Sequence, residues 1–199
     1  MSGPRFGDTS ALYPEYYQAD SLLAEREPSW QHIGGVLFRQ FRPTTSLDVG
    51  CGAGPLVKAL RDLGVDAWGL EGSLAALDKS DVPIIPWDLR RPLTVLKRFS
   101  LVTCFDTAEH VEDGGYVADI CTMAAQTYIV FGAATPGQDG HGHVFLKPHD
   151  YWHEQFDQRG FAHEKDLTKE VKAAIEANEI HNKVWWCALN ANVYRRRAW

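Results

Sequence analysis

Thr45-Ser46-Leu47-Asp48-Val49-Gly50-Cys51-Gly52-Ala53-Gly54-Pro55-Leu56-Val57 is the stretch that decides the fold of this chain. A strand-like run reaches an acid, three glycines alternate with small residues, and an amphipathic segment begins. Glycines spaced this way after a strand let the backbone turn tightly and approach a ligand with no side chain between them. The loop is a poor phosphate cradle. Where a G-x-G-x-x-G loop would place its third glycine this chain has Pro55, which carries no N–H, and no Gly-Lys-Ser/Thr follows. Proline there suits the first turn of a helix, with Gly54 at or near its cap. Asp48, inside the turn, would repel a phosphate and suit an ammonium or sulfonium group. A tight β-to-α turn whose glycines serve packing alone is the alternative. The strand, acid, three glycines and helix together favour a ligand.

The D-x-G-x-G-x-G pattern of Asp48 to Gly54 resembles the S-adenosylmethionine (SAM) loop of class I methyltransferases. The resemblance implies SAM as cofactor, with Asp48, Gly50, Cys51, Gly52 and Gly54 under its methionine part. It also implies an α/β fold: a doubly wound, mostly parallel seven-stranded sheet with helices on both faces and an antiparallel last strand. The downstream order agrees. Asp66 to Glu71 reads as a second strand, followed by Gly72, and a carboxylate at its end can accept from both ribose hydroxyls. Val82 to Leu89 reads as the third strand and its exit loop. By resemblance Asp88 faces the adenine amino group and Trp87 or Leu89 packs on the ring, although Trp87 could equally be core. Phe99 to Asp106 is the fourth strand, followed by Thr107-Ala108-Glu109-His110-Val111. This resembles the family segment closing the cleft beside the transferring methyl, which brings Phe105, Asp106 and His110 to the cofactor. His110 could be a general base, since histidine titrates near neutrality, or it could brace the loop.

Composition bounds the rest. A chain of 199 residues, 45% hydrophobic, fits one domain over 1–199, with 1–44 a helical lead-in or lid and 45–199 the sheet core. No apolar run reaches membrane-spanning length, and Met1 to Phe6 lacks an apolar signal region. Cys51, Cys104, Cys121 and Cys187 are widely spaced, so reduced thiols and a cytoplasmic location are expected. A net charge of −6 argues against a nucleic-acid surface, and Arg195-Arg196-Arg197 reads as a solvated strand end. Partners are then a small-molecule acceptor, no membrane, and at most a second copy of the chain as monomer or homodimer.

Alternating strand and helix signals predict the layered sheet. Leu22 to Gln40 reads as a helical lead-in, with further helices at Pro55–Leu63, Ser73–Lys79 and Gly115–Ala125, a fifth strand at Tyr128–Ala133, and a final strand pair within Val184–Arg197. Tyr13, Tyr16 and Tyr17 are candidate lid aromatics by resemblance, Tyr13 and Tyr17 also as acceptor contacts, with ordinary packing as the alternative.

Thr135 to His153 follows the fifth strand, at the carboxyl edge where open α/β sheets bind ligands. Its Gly-His-Gly-His-Val segment, the later Pro-x-x-Tyr-Trp and Arg159-Gly160-Phe161 resemble a branch of small methyltransferases from bacteria and phages. Their substrates are often unassigned or of saccharide type, and this loop forms their acceptor-side wall. Three readings of His141 and His143 stand side by side. One could take the proton of a hydroxyl acceptor. His141, His143, His149 and His153 could together bind a divalent metal, although no Cys pair or H-E-x-x-H accompanies them, so no metal is expected. Or they could simply fix a glycine-rich loop. The sequence as a whole reads as a SAM-dependent methyltransferase acting on a hydroxyl of a metabolite or saccharide. Nitrogen, carbon or macromolecular methylation, a non-catalytic SAM-binding protein, and a NAD-type fold are the alternatives. Phe105-Asp106-Thr107-Ala108 stands where amino-methylating enzymes of one type carry N/D-P-P-Y/F.

Overall fold

The computed structural model describes residues 20–93 and 97–198. Tyr13, Tyr16 and Tyr17 lie outside them. The elements run α1 (Asp20–Phe41), β1 (Thr45–Val49), α2 (Pro55–Asp62), β2 (Asp66–Glu71), α3 (Leu74–Leu77), β3 (Ile84–Pro86), β4 (Phe99–Phe105), α4 (Gly115–Ala124), β5 (Ala125–Gly132), α5 (His149–Gln158), β6 (Phe161–His163), α6 (Lys165–Glu176), α7 (Trp185–Asn190) and β7 (Asn192–Arg196). Short 3₁₀ turns occupy Ala108–His110 and Glu179–Val184.

Seven strands form one sheet in the order β3-β2-β1-β4-β5-β7-β6. β3, β2, β1, β4 and β5 pair in parallel, while β7 runs antiparallel to both β5 and β6. Alternation along the strands explains the two helical layers. Leu47, Val102, Cys104, Ile129, Phe131 and Tyr194 feed one core with residues of α4 and α5. Leu101, Phe105, Val130 and Val193 feed the opposite core with residues of α1, α2, α6 and α7. Successive strand residues point to opposite faces, so a strand covered on both sides must be apolar at nearly every position. β4, Phe-Ser-Leu-Val-Thr-Cys-Phe, is such a strand, and only Ser100 of its seven residues is not buried.

α2 starts where the sequence predicts, with Pro55 in its first turn and Gly54 as a left-handed cap at φ 85°. A side chain on Gly54 would run into Val82, so this glycine serves the join between loop and β3. Ser73 caps α3 by accepting the Ala76 N–H at 3.3 Å. β3 is only three residues long because Pro83 and Pro86 bring no N–H to the ladder, and the pairing continues through the Pro83 carbonyl and the Trp87 N–H.

Two expectations are corrected. The final strand pair does not lie within Val184–Arg197. Only β7 does, and its edge partner is the three-residue β6, which starts directly after Gly160 at φ 80°. Arg195-Arg196-Arg197 is not a merely solvated end: Arg196 donates to the carbonyls of Thr122 and Ala125, tying β7 to the α4–β5 junction, and Arg197 pairs with Asp157. All four cysteines are free and buried. Among the described residues no helix is long and apolar enough to cross a membrane.

Candidate functional site

The strand order reverses between β1 and β4, and their carboxyl ends open into one cleft of about 1190 Å³. A reversal of this kind is where open α/β sheets bind ligands. Asp48, Gly50, Cys51, Gly52, Glu71, Gly72, Asp88 and Leu89 line one part of it. Phe105, Asp106, His110, His141 and His143 line another, under an outer wall that includes Trp30, Trp185, Trp186 and Leu189.

On the first part the backbone itself is the surface. Gly50 and Gly52 hold φ of 74° and 56°, a region L side chains rarely adopt, and a Cβ on Gly50 would collide with Thr107. The loop is tethered by Glu71. One carboxylate oxygen accepts the Gly72 and Ser73 N–H groups, each at 2.7 Å, and the other accepts the Gly52 N–H at 2.9 Å. Burial raises the Glu71 pKa, and these three amides oppose the rise. A carboxylate has about four lone-pair sites, so little of Glu71 is left over for a sugar. Its position at the end of β2 is as predicted, but its first role here is to organise the loop.

Asp48 accepts a 2.7 Å hydrogen bond from the Thr103 hydroxyl. Burial pushes its carboxyl up to about 7, against the Thr103 bond and with help from the neighbouring charge of Glu71. Asp88 is held by Arg90, whose guanidinium donates to both carboxylate oxygens at 2.8 and 3.0 Å. Burial works against the Asp88 charge, but the Arg90 bonds outweigh it and its pKa is lowered. Leu89 faces the cleft. Trp87 is not among the lining residues; it packs against the α4–α5 core and donates its indole N–H to the Arg91 carbonyl. Gly54 is likewise absent from the lining, for the packing reason given above.

The second part is built from side chains. Asp106 follows β4 directly in a left-handed conformation, φ 53°, its N–H held by the Gly132 carbonyl. Glu109 is completely buried. One of its oxygens accepts the Ala134 N–H at 2.6 Å, and its main-chain carbonyl accepts both the Val144 and Phe145 N–H groups. Burial, then the charge of Asp106, raises its carboxyl to about 8. Because the Glu109 carbonyl holds Val144 and Phe145, the loop after β5 folds back onto the 3₁₀ turn. This brings His143 within 4.9 Å of His110, ring centre to ring centre. His110 Nδ1 lies 3.1 Å from the Gly142 carbonyl and His143 Nδ1 3.0 Å from the Gln138 carbonyl. Burial lowers the His110 pKa, partly countered by Asp106.

The four-histidine grouping considered from sequence is not assembled. His143 joins His110 in the cleft, whereas His149 and His153 belong to α5, where His153 stacks on His163 at 3.8 Å and meets the Tyr194 hydroxyl. Sequence reasoning missed the weight of Glu109. The Asp106-x-x-Glu109-His110 spacing was legible, but not that the glutamate would be wholly buried.

Three comparisons bear on these features. A family described as "Methyltransferase domain" matches residues 23–166. A ubiquinone biosynthesis O-methyltransferase of Alkalilimnicola ehrlichii is 31% identical over 101 residues, 46% of this chain and 39% of that protein. The match therefore spans well under half the length of that relative. The magnesium protoporphyrin IX methyltransferase of Synechocystis PCC 6803, solved with bound SAH, shares the fold at a TM-score of 0.60 and 13% identity, over 88% of this chain and 85% of that one. A plantazolicin methyltransferase in complex with SAH gives 0.57 and 12%, over 96% and 92%.

Proposed function

The chain belongs to the methyltransferase-domain family, the class I SAM-dependent methyltransferases, and from that premise we propose that it methylates a hydroxyl group of a small molecule, a metabolite or saccharide. One observation carries the choice of a hydroxyl. The His110–His143 pair stands with Asp106 in the same cleft as the glycine loop, so proton-accepting groups meet an acceptor next to the donor.

The residues present fit SAM. Gly50, Gly52 and Gly72 leave a floor without side chains, and the buried Asp48 carboxylate favours a cationic ligand. When bound, the cofactor supplies a methyl group on a positively charged sulfur that leaves as a neutral thioether. The chain supplies position and a path for one proton. Asp48 draws the cationic end of the donor inward, and Leu89 offers an apolar surface to its base. On the acceptor side His143 or His141 takes the hydroxyl proton as the oxygen forms its bond to carbon, with His110 next in line. Trp30, Trp185 and Trp186 exclude water over the reacting atoms. Holding two reactants in line can lower a barrier by about 7–11 kcal/mol. The cleft also exceeds the ~300–1,000 Å³ of an ordinary ligand pocket, which suits donor and acceptor together.

A screen of hydroxylated metabolites and sugars with SAM, following the demethylated product, tests this reading. Turnover confined to hydroxyl acceptors supports it. Turnover only with amines, or titration showing NAD binding and no SAM binding, overturns it.

A further inference from the structure

We propose that Asp106, Glu109, His110 and His143 form a divalent-cation site at the acceptor end of the cleft. The ligand-bearing atoms of these four side chains all lie within 4.8 Å of one another. Ligands about 2.1 Å from a shared ion stand roughly 3.0–4.2 Å apart, so closure of the widest pair by about 0.6 Å or more completes the set.

Two independent features of the surroundings point the same way. The first is Glu109. It is fully buried, its Oε1 is engaged by the Ala134 N–H, and its Oε2 has no hydrogen-bond partner among the described residues. Leaving a buried carboxylate oxygen without a partner is costly, and the side chain that bears on this carboxyl, through both its charge and a hydrogen bond, is a second acid, Asp106. A buried acid beside an exposed one at the mouth of the cleft calls for a cation between them. The second is the state of the two imidazoles. In each, Nδ1 lies against a main-chain carbonyl, Gly142 for His110 and Gln138 for His143. A carbonyl accepts, so Nδ1 carries the proton and Nε2 carries the lone pair. Metal-binding histidines are oriented in this way, by a carbonyl or carboxylate on the nitrogen that does not bind the metal.

Two imidazoles with two carboxylates suit Mn²⁺, Fe²⁺ or Zn²⁺ better than Mg²⁺, which prefers oxygen ligands alone and keeps its waters. A six-coordinate ion on four protein ligands keeps two positions, which two neighbouring oxygens of an acceptor would fill. The site thus deepens the hydroxyl-acceptor reading and its use rests on that reading. It assigns His110 and His143 to holding an ion, leaving His141 and solvent to receive the acceptor proton. Binding of the ion itself requires neither SAM nor acceptor, so the two proposals fail separately.

The test is a titration of the chelator-treated full chain with Mn²⁺, followed by the loss of the free-ion electron paramagnetic resonance signal, with Zn²⁺ as competitor. One Mn²⁺ per chain, displaced by Zn²⁺, is expected. Asp106→Asn and His143→Ala, both at partly or fully exposed positions, should fold with unchanged circular dichroism and weaken Mn²⁺ about tenfold or more. Glu109→Gln, which keeps an acceptor for Ala134, should do the same, and His143→Gln gives a second variant at that position. Wild-type protein that leaves both Mn²⁺ and Zn²⁺ free at millimolar concentration overturns the proposal. So does binding that is unchanged in Asp106→Asn and His143→Ala, which would put the ion elsewhere. Turnover that persists undiminished in excess chelator, with metal binding absent, removes the ion while leaving the methyl-transfer reading in place.

Discussion

The two halves of the cleft solve opposite problems. Around the glycine loop nearly every polar group is satisfied from within: Glu71 gathers three backbone amides, Asp48 has Thr103, and Asp88 has Arg90. Around Asp106 the reverse holds, with a buried carboxylate oxygen left over and two imidazoles whose Nδ1 atoms are pinned by carbonyls. The first half is a finished mould whose shape is set by main chain. The second is a set of side chains whose geometry is completed by something else. A mould tolerates little change in its walls, whereas a cluster of side chains loses its chemistry one group at a time and leaves the fold intact.

Breaking the mould should have the largest effect. Gly50→Ala forces a Cβ against Thr107 at a positive φ, and should cost about 2–4 kcal/mol in denaturant unfolding and abolish SAM binding by titration calorimetry. Unfolding at wild-type denaturant would mean that the loop yields and the mould is not rigid. Next comes Glu71→Gln. Its amide group must turn N–H donors toward Gly52 or toward Gly72 and Ser73, costing about 1–3 kcal/mol. An unchanged melting temperature would show that the tether is dispensable.

Asp48→Asn should separate binding from stability. With its carboxyl raised to about 7 from an unfolded value of 3.8, Asp48 favours the fold most below the unfolded value and loses that contribution as pH rises through 7. At pH 8 the variant should therefore melt no lower than wild type, yet bind SAM about tenfold more weakly, roughly 1.4 kcal/mol. Unaltered SAM affinity would remove Asp48 from the donor half.

The smallest effect lies outside the cleft. Burial, then the charge of His153, lowers His163 to about 4 from 6.5, with Lys165, His149 and Lys172 acting in the same direction. A depressed histidine leaves the unfolded chain binding more protons between those values. Its contribution to stability is therefore full above pH 6.5 and lost as pH falls toward 4. His163→Asn should flatten the decline in melting temperature across that window, and parallel curves for the two proteins would exclude His163 as its source.

The contrast also explains what could be read in the sequence. A main-chain mould is written in residue types, glycines, a proline and an acid at fixed spacing, so Gly50, Gly52, Glu71 and the start of α2 were legible. Strand β4 was legible because burial on both faces demands an unbroken apolar run. β6 was not, since three residues give no period, and it exists only because β7 offers an edge. Trp87 was ambiguous because its direction depends on where β3 stops. The half around Asp106 was hidden for a different reason. His143 meets His110 only because the Glu109 carbonyl takes two N–H groups from the returning loop, a backbone contact that no pattern of side chains announces.

The buried thiols have a practical consequence. Burial pushes Cys51, Cys104 and Cys187 well above the ordinary thiol range, and Cys121 is equally enclosed, so none should react readily with maleimide reagents in the native protein. A single cysteine introduced at the solvent-facing Leu189 of the outer wall would then be the one quickly labelled position. A fluorophore or spin label placed there could report on the outer wall as donor and acceptor enter, without first stripping the chain of its own sulfur.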